Sequence, residues 1–138
     1  MASYTKFNVF VEDLAHKIHD LETDQLTVAL CNAANAPVAT NSVLADLTTV
    51  AYTNLSTRNI TTTSSGHTTG TYKLVLTDLV LTASGGAVAA FRYVVIYNDT
   101  AASDQLICFF DYGSDLTLAD GETLTLDFDA SNGVLQIA

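Results

Sequence analysis

Basic residues are scarce in this chain: five lysines and arginines stand against fifteen aspartates and glutamates, for a formal net charge of −10. Phosphate backbones repel such a chain overall, and no Lys/Arg cluster forms a local exception, so nucleic acid is excluded as a partner. Charge of either sign is sparse as well, at 14% of residues, which fits a surface partly covered by neighbours. Tryptophan is absent and proline occurs once. With threonine and small residues filling much of the remainder, this is the composition of a β domain and not of a disordered chain. No run approaches the roughly 18 uninterrupted apolar residues of a membrane-spanning helix, and the opening residues lack the apolar core of a secretory signal. No membrane partner is expected, and the protein is expected to be made in the cytoplasm and kept there unless an assembly carries it elsewhere. Its only two cysteines, Cys31 and Cys108, lie in the apolar runs TVALC and LICFF and read as reduced, buried side chains. Without CxxC spacing they make no zinc site. Three Asn-x-Ser/Thr triplets are chance matches in a Thr-rich chain.

What is present is β patterning. AFRYVVIY (90–97) places Phe91, Tyr93, Val95 and Tyr97 on one strand face and Val94 and Ile96 on the other. Both faces are apolar, as in a central strand. QLICFFDY (105–112) is again apolar on both faces, and ETLTLDF (122–128) alternates, so three antiparallel strands of one sheet are expected. QLTVALC (25–31) reads as a first strand. In YKLVLTDLVL (72–81), Asp78 falls on the inward-facing register, which calls for a bulge or a change of sheet near Thr77–Asp78. GVLQI (133–137) closes the chain with Leu135 and Ile137 facing in. Turns are expected at Ser84–Gly86 and Asp120–Gly121. Ahead of the strands, KFNVFVEDLAHKIHDL (6–21) spaces Phe7, Phe10, Leu14, Ile18 and Leu21 by three and four, the stripe of an amphipathic helix. About eight strands without βαβ alternation predict one domain over residues 1–138. It is mainly β, a single antiparallel β-sandwich or jelly-roll-like domain with one N-terminal helix over 6–21, a loop-rich interaction region over 32–71 and core strands over 72–138. Within the loop-rich region a helical turn is expected near Val43–Asp46, and NITTTSSGHTTGT (59–71) forms a long loop or a polar hairpin turning at Ser65–Gly66.

Chemistry is hard to find. His16 and His19 share the predicted helix with Glu12 and Asp20, a conceivable metal or general-base face, but a solvated polar face accounts for them more simply. Asp111, Asp115, Asp120, Glu122, Asp127 and Asp129 crowd the C-terminal third without the spacing of a calcium loop and read as turn-forming carboxylates. No GxSxG, P-loop, HExxH or dinucleotide fingerprint occurs. Neither an enzyme nor a cofactor or metal protein is expected.

Four segments carry a resemblance: KFNVFVEDLAHKIHDL, DQLTVALCNAANAPVATNSVLADLT, KLVLTDLVLTASGGAVAAFRYVVIYND and DYGSDLTLADGETLTLDF. Together they resemble small virion structural proteins of tailed bacteriophages, similar to capsid decoration (cement) proteins. Where such proteins carry a Gly-rich stretch after the ADLT segment, this chain has YTNLSTRNITTT (52–63). The resemblance implies a non-enzymatic protein, made in the host cytoplasm, that sits on the outer capsid surface of the virion and cements neighbouring major capsid proteins. It would act as a homo-oligomer, a trimer before a dimer. The residues expected to contact the capsid or another subunit are Tyr4, Phe7 and Phe10 near the N-terminus, Asn35, Pro37 and Val38 in the first loop, and Tyr52, Arg58 and His67 in the Thr-rich region. The competing readings are a tail, neck or fibre-associated protein and a host-glycan binding module.

Overall fold

A computed structural model describes residues 2–138. In chain order the elements are β1 (Ser3–Lys6), α1 (Phe10–Ala15), β2 (Leu26–Cys31), two 3-10 turns (Ala33–Asn35 and Leu44–Asp46), β3 (Asn59–Ile60), β4 (Thr62–Thr68), β5 (Thr71–Leu76), β6 (Leu79–Thr82), β7 (Phe91–Asn98), β8 (Leu106–Leu116), β9 (Thr123–Leu126) and β10 (Leu135–Ile137). All strand pairs are antiparallel. They form a five-stranded sheet in the order β1-β8-β7-β2-β3, a three-stranded sheet β10-β5-β4 and a two-stranded sheet β6-β9. The two smaller sheets lie over one face of the large one in a sandwich-like, mainly β arrangement.

The main core fills the space between these layers. Val28 and Leu30 of β2, Val94 and Ile96 of β7, Leu74 and Leu76 of β5, Leu81 of β6 and Leu126 of β9 are all buried there. The alternate residues Ala29, Cys31, Tyr93, Val95 and Tyr97 face the other way, as period-2 geometry requires, and build a second cluster with Phe7, Leu106 and Phe109. Leu44 and Leu47 cover that second face, and the bonds from Leu44 N to Asp104 O and from Leu106 N to Ser42 O pin them down. Within the loop-rich segment, the stretch carrying Leu44 and Leu47 therefore covers this face of the central sheet. Phe91 departs from the face shared by Tyr93 and Val95: the β7–β8 register shifts between Phe91 and Tyr93, and Phe91 joins the main core.

The N-terminal segment differs most from the sequence expectation. In place of one helix over 6–21, it begins as a strand that pairs Ser3 with Asp111 and Lys6 with Cys108, and the helix covers only Phe10–Ala15. Lys17 ends the helix by turning left-handed (φ 66). Lys17 N then donates to Leu14 O and Ile18 N to Asp13 O, which is a Schellman closure. The apolar stripe is real, but the chain divides it. Phe7 lies under one face of the large sheet, while Phe10, Leu14 and Leu21 lie under the other.

Three further expectations change. β9 pairs with β6 instead of joining β7 and β8. Ile137 is 41% exposed where an inward side chain was expected. The polar hairpin forms, but it turns at Thr69–Gly70, not Ser65–Gly66. Thr68 pairs with Thr71, leaving a two-residue turn with φ 49 and 87, the mirror-image geometry that suits twisted strands. The anticipated change of sheet at Thr77–Asp78 is present. β5 and β6 belong to different sheets, and Asp78 Oδ1 accepts a hydrogen bond from Phe128 N (2.9 Å) instead of entering the core.

Candidate interaction surface

The sandwich does not close at the side where β1 and β10 form the edges of their sheets. An apolar trough runs along this seam in two hollows that share Tyr4. One, of about 650 Å³, reaches down to Val94, Phe110, Leu126 and Phe128 of the main core. The other, of about 700 Å³, lies between Tyr4 and Lys6 of β1, Phe10, Val11 and Leu14 of α1, and Leu135 and Ile137 of β10. Tyr4 stands edge-on to Phe110 with ring centroids 5.4 Å apart. Its own exposure is 42%, with Val11 at 53% and Ile137 at 41%. Ile18, also exposed, flanks a shallower hollow that again includes Leu14 and Ile137. Four of the exposed large apolar side chains thus gather around one seam, a concentration that marks a contact surface more strongly than scattered exposure would.

The residues expected at the contact surface from sequence fare unequally. Tyr4 is at the seam. Phe7 and Phe10 are buried at 0% and 2% exposure and serve as core. Asn35 is exposed on its 3-10 turn with its side chain turned back to Asn32 Oδ1, Pro37 is buried, and Val38 is exposed. Tyr52 and Arg58 come together, but as a brace for β2: the guanidinium lies 3.7 Å over the ring centre, Leu30 N donates to the Tyr52 hydroxyl (3.3 Å), and Arg58 Nη1 donates to Val28 O. His67 is exposed on β4 and accepts a bond from Gly70 N (3.4 Å). Sequence reasoning missed Val11 and Ile137. Val11 sits beside a helical stripe, and Ile137 shares its face with buried Leu135, so neither pattern says that the covering layer stops short of them.

Groups with chemical potential are tied to structural duties. The Asp111 carboxylate takes both Arg92 nitrogens at 2.7 and 3.0 Å, and the guanidinium holds it below the usual carboxylate range. Asp115, Asp120, Glu122 and Asp129 each accept a backbone N–H at a turn. Cys31 and Cys108 are free and sit in different clusters on opposite faces of the sheet. Burial pushes their thiols up to about 11 and about 12.

The histidine expected on a solvated face is the exception. His16 is exposed, 3.8 Å from Glu12, but His19 is buried at 6% and stacks beside Phe10. Asn98, wholly buried at the end of β7, receives Thr100 N and Ala101 N on its Oδ1. Its Nδ2 therefore faces Asp24 Oδ2 (2.6 Å) and His19 Nδ1 (3.0 Å). An amide nitrogen cannot accept, so Nδ1 is the acceptor and His19 carries its proton on Nε2. Among the described residues, His19 Nε2 and Asp13 Oδ2 are the buried side-chain atoms without a hydrogen-bond partner. A protonated Nε2 is no metal ligand, and the cluster is a polar lock between the N-terminal segment and the central strand.

No family model, curated protein or solved structure matches this chain. The functional reading therefore rests on the sequence resemblance and on the seam.

Proposed function

We propose that this chain is a non-enzymatic structural protein of a tailed-phage virion, with a jelly-roll-like sandwich, that binds the outer surface of the capsid shell as a symmetric homo-oligomer and cements neighbouring major capsid proteins. The observation that carries the reading is the open seam, where four exposed apolar side chains and two unpaired strand edges stand together on an acidic domain. A cement protein needs a contact surface and no reaction centre. Each copy adds modest binding energy, and a closed lattice multiplies it through effective concentration. Net charge of −10 suits the outside of a head better than the DNA-facing lumen. Val38, exposed on its loop, offers a further apolar contact.

The glycan-binding alternative draws less support, because the two tyrosines it would use are engaged. Tyr52 lies under Arg58, and the Tyr72 hydroxyl bonds Ser65 Oγ at 2.8 Å. Deleting the gene and heating the particles tests the cementing role. Mutant heads should release DNA at a lower temperature than wild type, and addition of the purified protein should restore the difference. Heads of unchanged heat stability would reject cementing, and labelled copies confined to one vertex would move the protein to the neck or tail.

A further inference from the structure

The edge of β1 fits a second copy of itself. In an antiparallel pair, successive residues alternate between bonding the partner strand and pointing their N–H and C=O groups away from it. Phe7 N bonds Ile107 O directly opposite, so by the β1–β8 register Thr5 and Ser3 also face β8. Tyr4 and Lys6 are left with their N–H and C=O groups on the outer edge. Among the described residues neither has a backbone partner there, and both side chains are exposed.

We propose that two copies pair β1 against β1 about a two-fold axis at Thr5, joining their five-stranded sheets into one. Tyr4 of each copy then lies opposite Lys6 of the other, and the two Thr5 residues face each other. The register is self-complementary. It exchanges both outward hydrogen bonds of each residue, sets a lysine beside an aromatic ring, and keeps the two lysines from meeting. β1 contains no carboxylate in a chain of net charge −10, so the contact itself carries no like-charge pair. The other edges of the five-stranded and three-stranded sheets are poorer candidates: β3 has two residues and β10 three, and β4 carries an irregularity between Thr62 and Ser64, a common device against edge pairing. Edge pairing alone covers less area than a standard interface. The exposed side chains of Val11 and Ile137 beside Tyr4 and Lys6 supply the apolar remainder.

This inference deepens the homo-oligomer of the proposed function and rests on that part of it, with a dimer in place of the trimer expected from sequence. It does not depend on the capsid. The test is sedimentation of the purified full-length chain from low micromolar to near-millimolar concentration, with hydrogen exchange read at Tyr4 and Lys6. A concentration-dependent dimer is expected, tightened by added salt because the two acidic copies repel at long range, with both amides protected in the dimer and open on dilution. Lys6→Pro deletes an N–H that β8 does not use and half of the cross-edge hydrogen bonds. It should weaken the dimer by at least about tenfold with thermal unfolding nearly unchanged, whereas Lys6→Gln should leave it formed. A monomer at every concentration, a trimer, or a dimer whose Tyr4 and Lys6 amides exchange freely would each overturn the inference, and the wild-type exchange decides the matter even if the proline variant folds poorly. A monomer that still protects heads from heat would overturn this pairing and leave the cementing role standing.

Discussion

Replacing Asn98 probes the lock between the N-terminal segment and the core, and the structure sets both the size and the pH dependence of the effect. Asn98→Ala removes the donor shared by Asp24 Oδ2 and His19 Nδ1 and the acceptor shared by Thr100 N and Ala101 N. The bond to the Asp24 carboxylate is charge-assisted, and the His19 acceptor is left buried. The two backbone N–H groups lie closer to the surface and recover some hydration. Together these losses come to about 3–5 kcal/mol of folding stability. Asn98→Asp is more diagnostic. It keeps an acceptor for the two N–H groups but places a carboxylate where an amide now contacts Asp24 at 2.6 Å. In the wild type, burial lowers the His19 pKa below 6.5 despite the opposing pull of Asp13 and Asp24. Below about pH 6.5 the unfolded chain therefore binds a proton that the folded chain refuses, and wild-type stability falls as pH drops through that window. A carboxylate at position 98 would stabilise His19 as a cation and raise its pKa above the unfolded value. The variant would then be more stable at pH 5.5 than at pH 8, losing stability as pH rises through the folded pKa. Urea unfolding from pH 5 to 8 reads both signs. A loss below about 1 kcal/mol for Asn98→Ala, or the same pH slope in Asn98→Asp as in wild type, would refute the assignment of donors and acceptors in the lock.

Two further outcomes follow from the core. Phe91→Ala and Phe109→Ala should each cost about 3–5 kcal/mol, one by emptying the main core and the other by opening the second cluster, where the Phe7 ring lies 5.1 Å from that of Phe109. Denaturant unfolding measures both, and a fully stable variant that had lost capsid binding would show that frame and interface had been exchanged. Thiols raised to about 11 and about 12 should resist alkylation at pH 8 in the native protein and react after denaturation. Mass spectrometry of native protein labelled at either cysteine would contradict their burial.

Strand alternation made the central sheet legible. β2, β7 and β8 begin and end within a few residues of the expected places, apart from the longer C-terminal end of β8, because residues apolar on both faces require cover on both sides. Asp78 was equally readable: a carboxylate at an inward position forced a change of sheet, and the chain makes one. The failures share a physical origin in contacts distant in sequence. Spacing by three and four around Phe7 and Phe10 looks the same whether the residues before Phe7 continue a helix or pair with a strand far along the chain. The partner, β8, decided for a strand. His19 looked solvated because nothing near it in sequence reveals Asn98, and the cover that Leu44 and Leu47 give the second sheet face left no trace because two apolar residues in a loop form no pattern. The seam was half legible, through Tyr4. Its other members depend on where the covering layers stop.

The pairing of Ser3 with Asp111 also sets an order of events during synthesis. At about 5–20 residues per second, β1 leaves the ribosome some seconds to tens of seconds before β8 exists to receive it. Until then its Tyr4 and the adjoining Phe7 have no sheet to join, and the short helix behind it lacks its packing partner. Closing so long a loop is slow, so the earliest strand made is among the last placed. Nascent chains crowded on one message would hold this adhesive N-terminal segment free together, which makes the interval before β8 emerges the period when this fold is most open to misassembly.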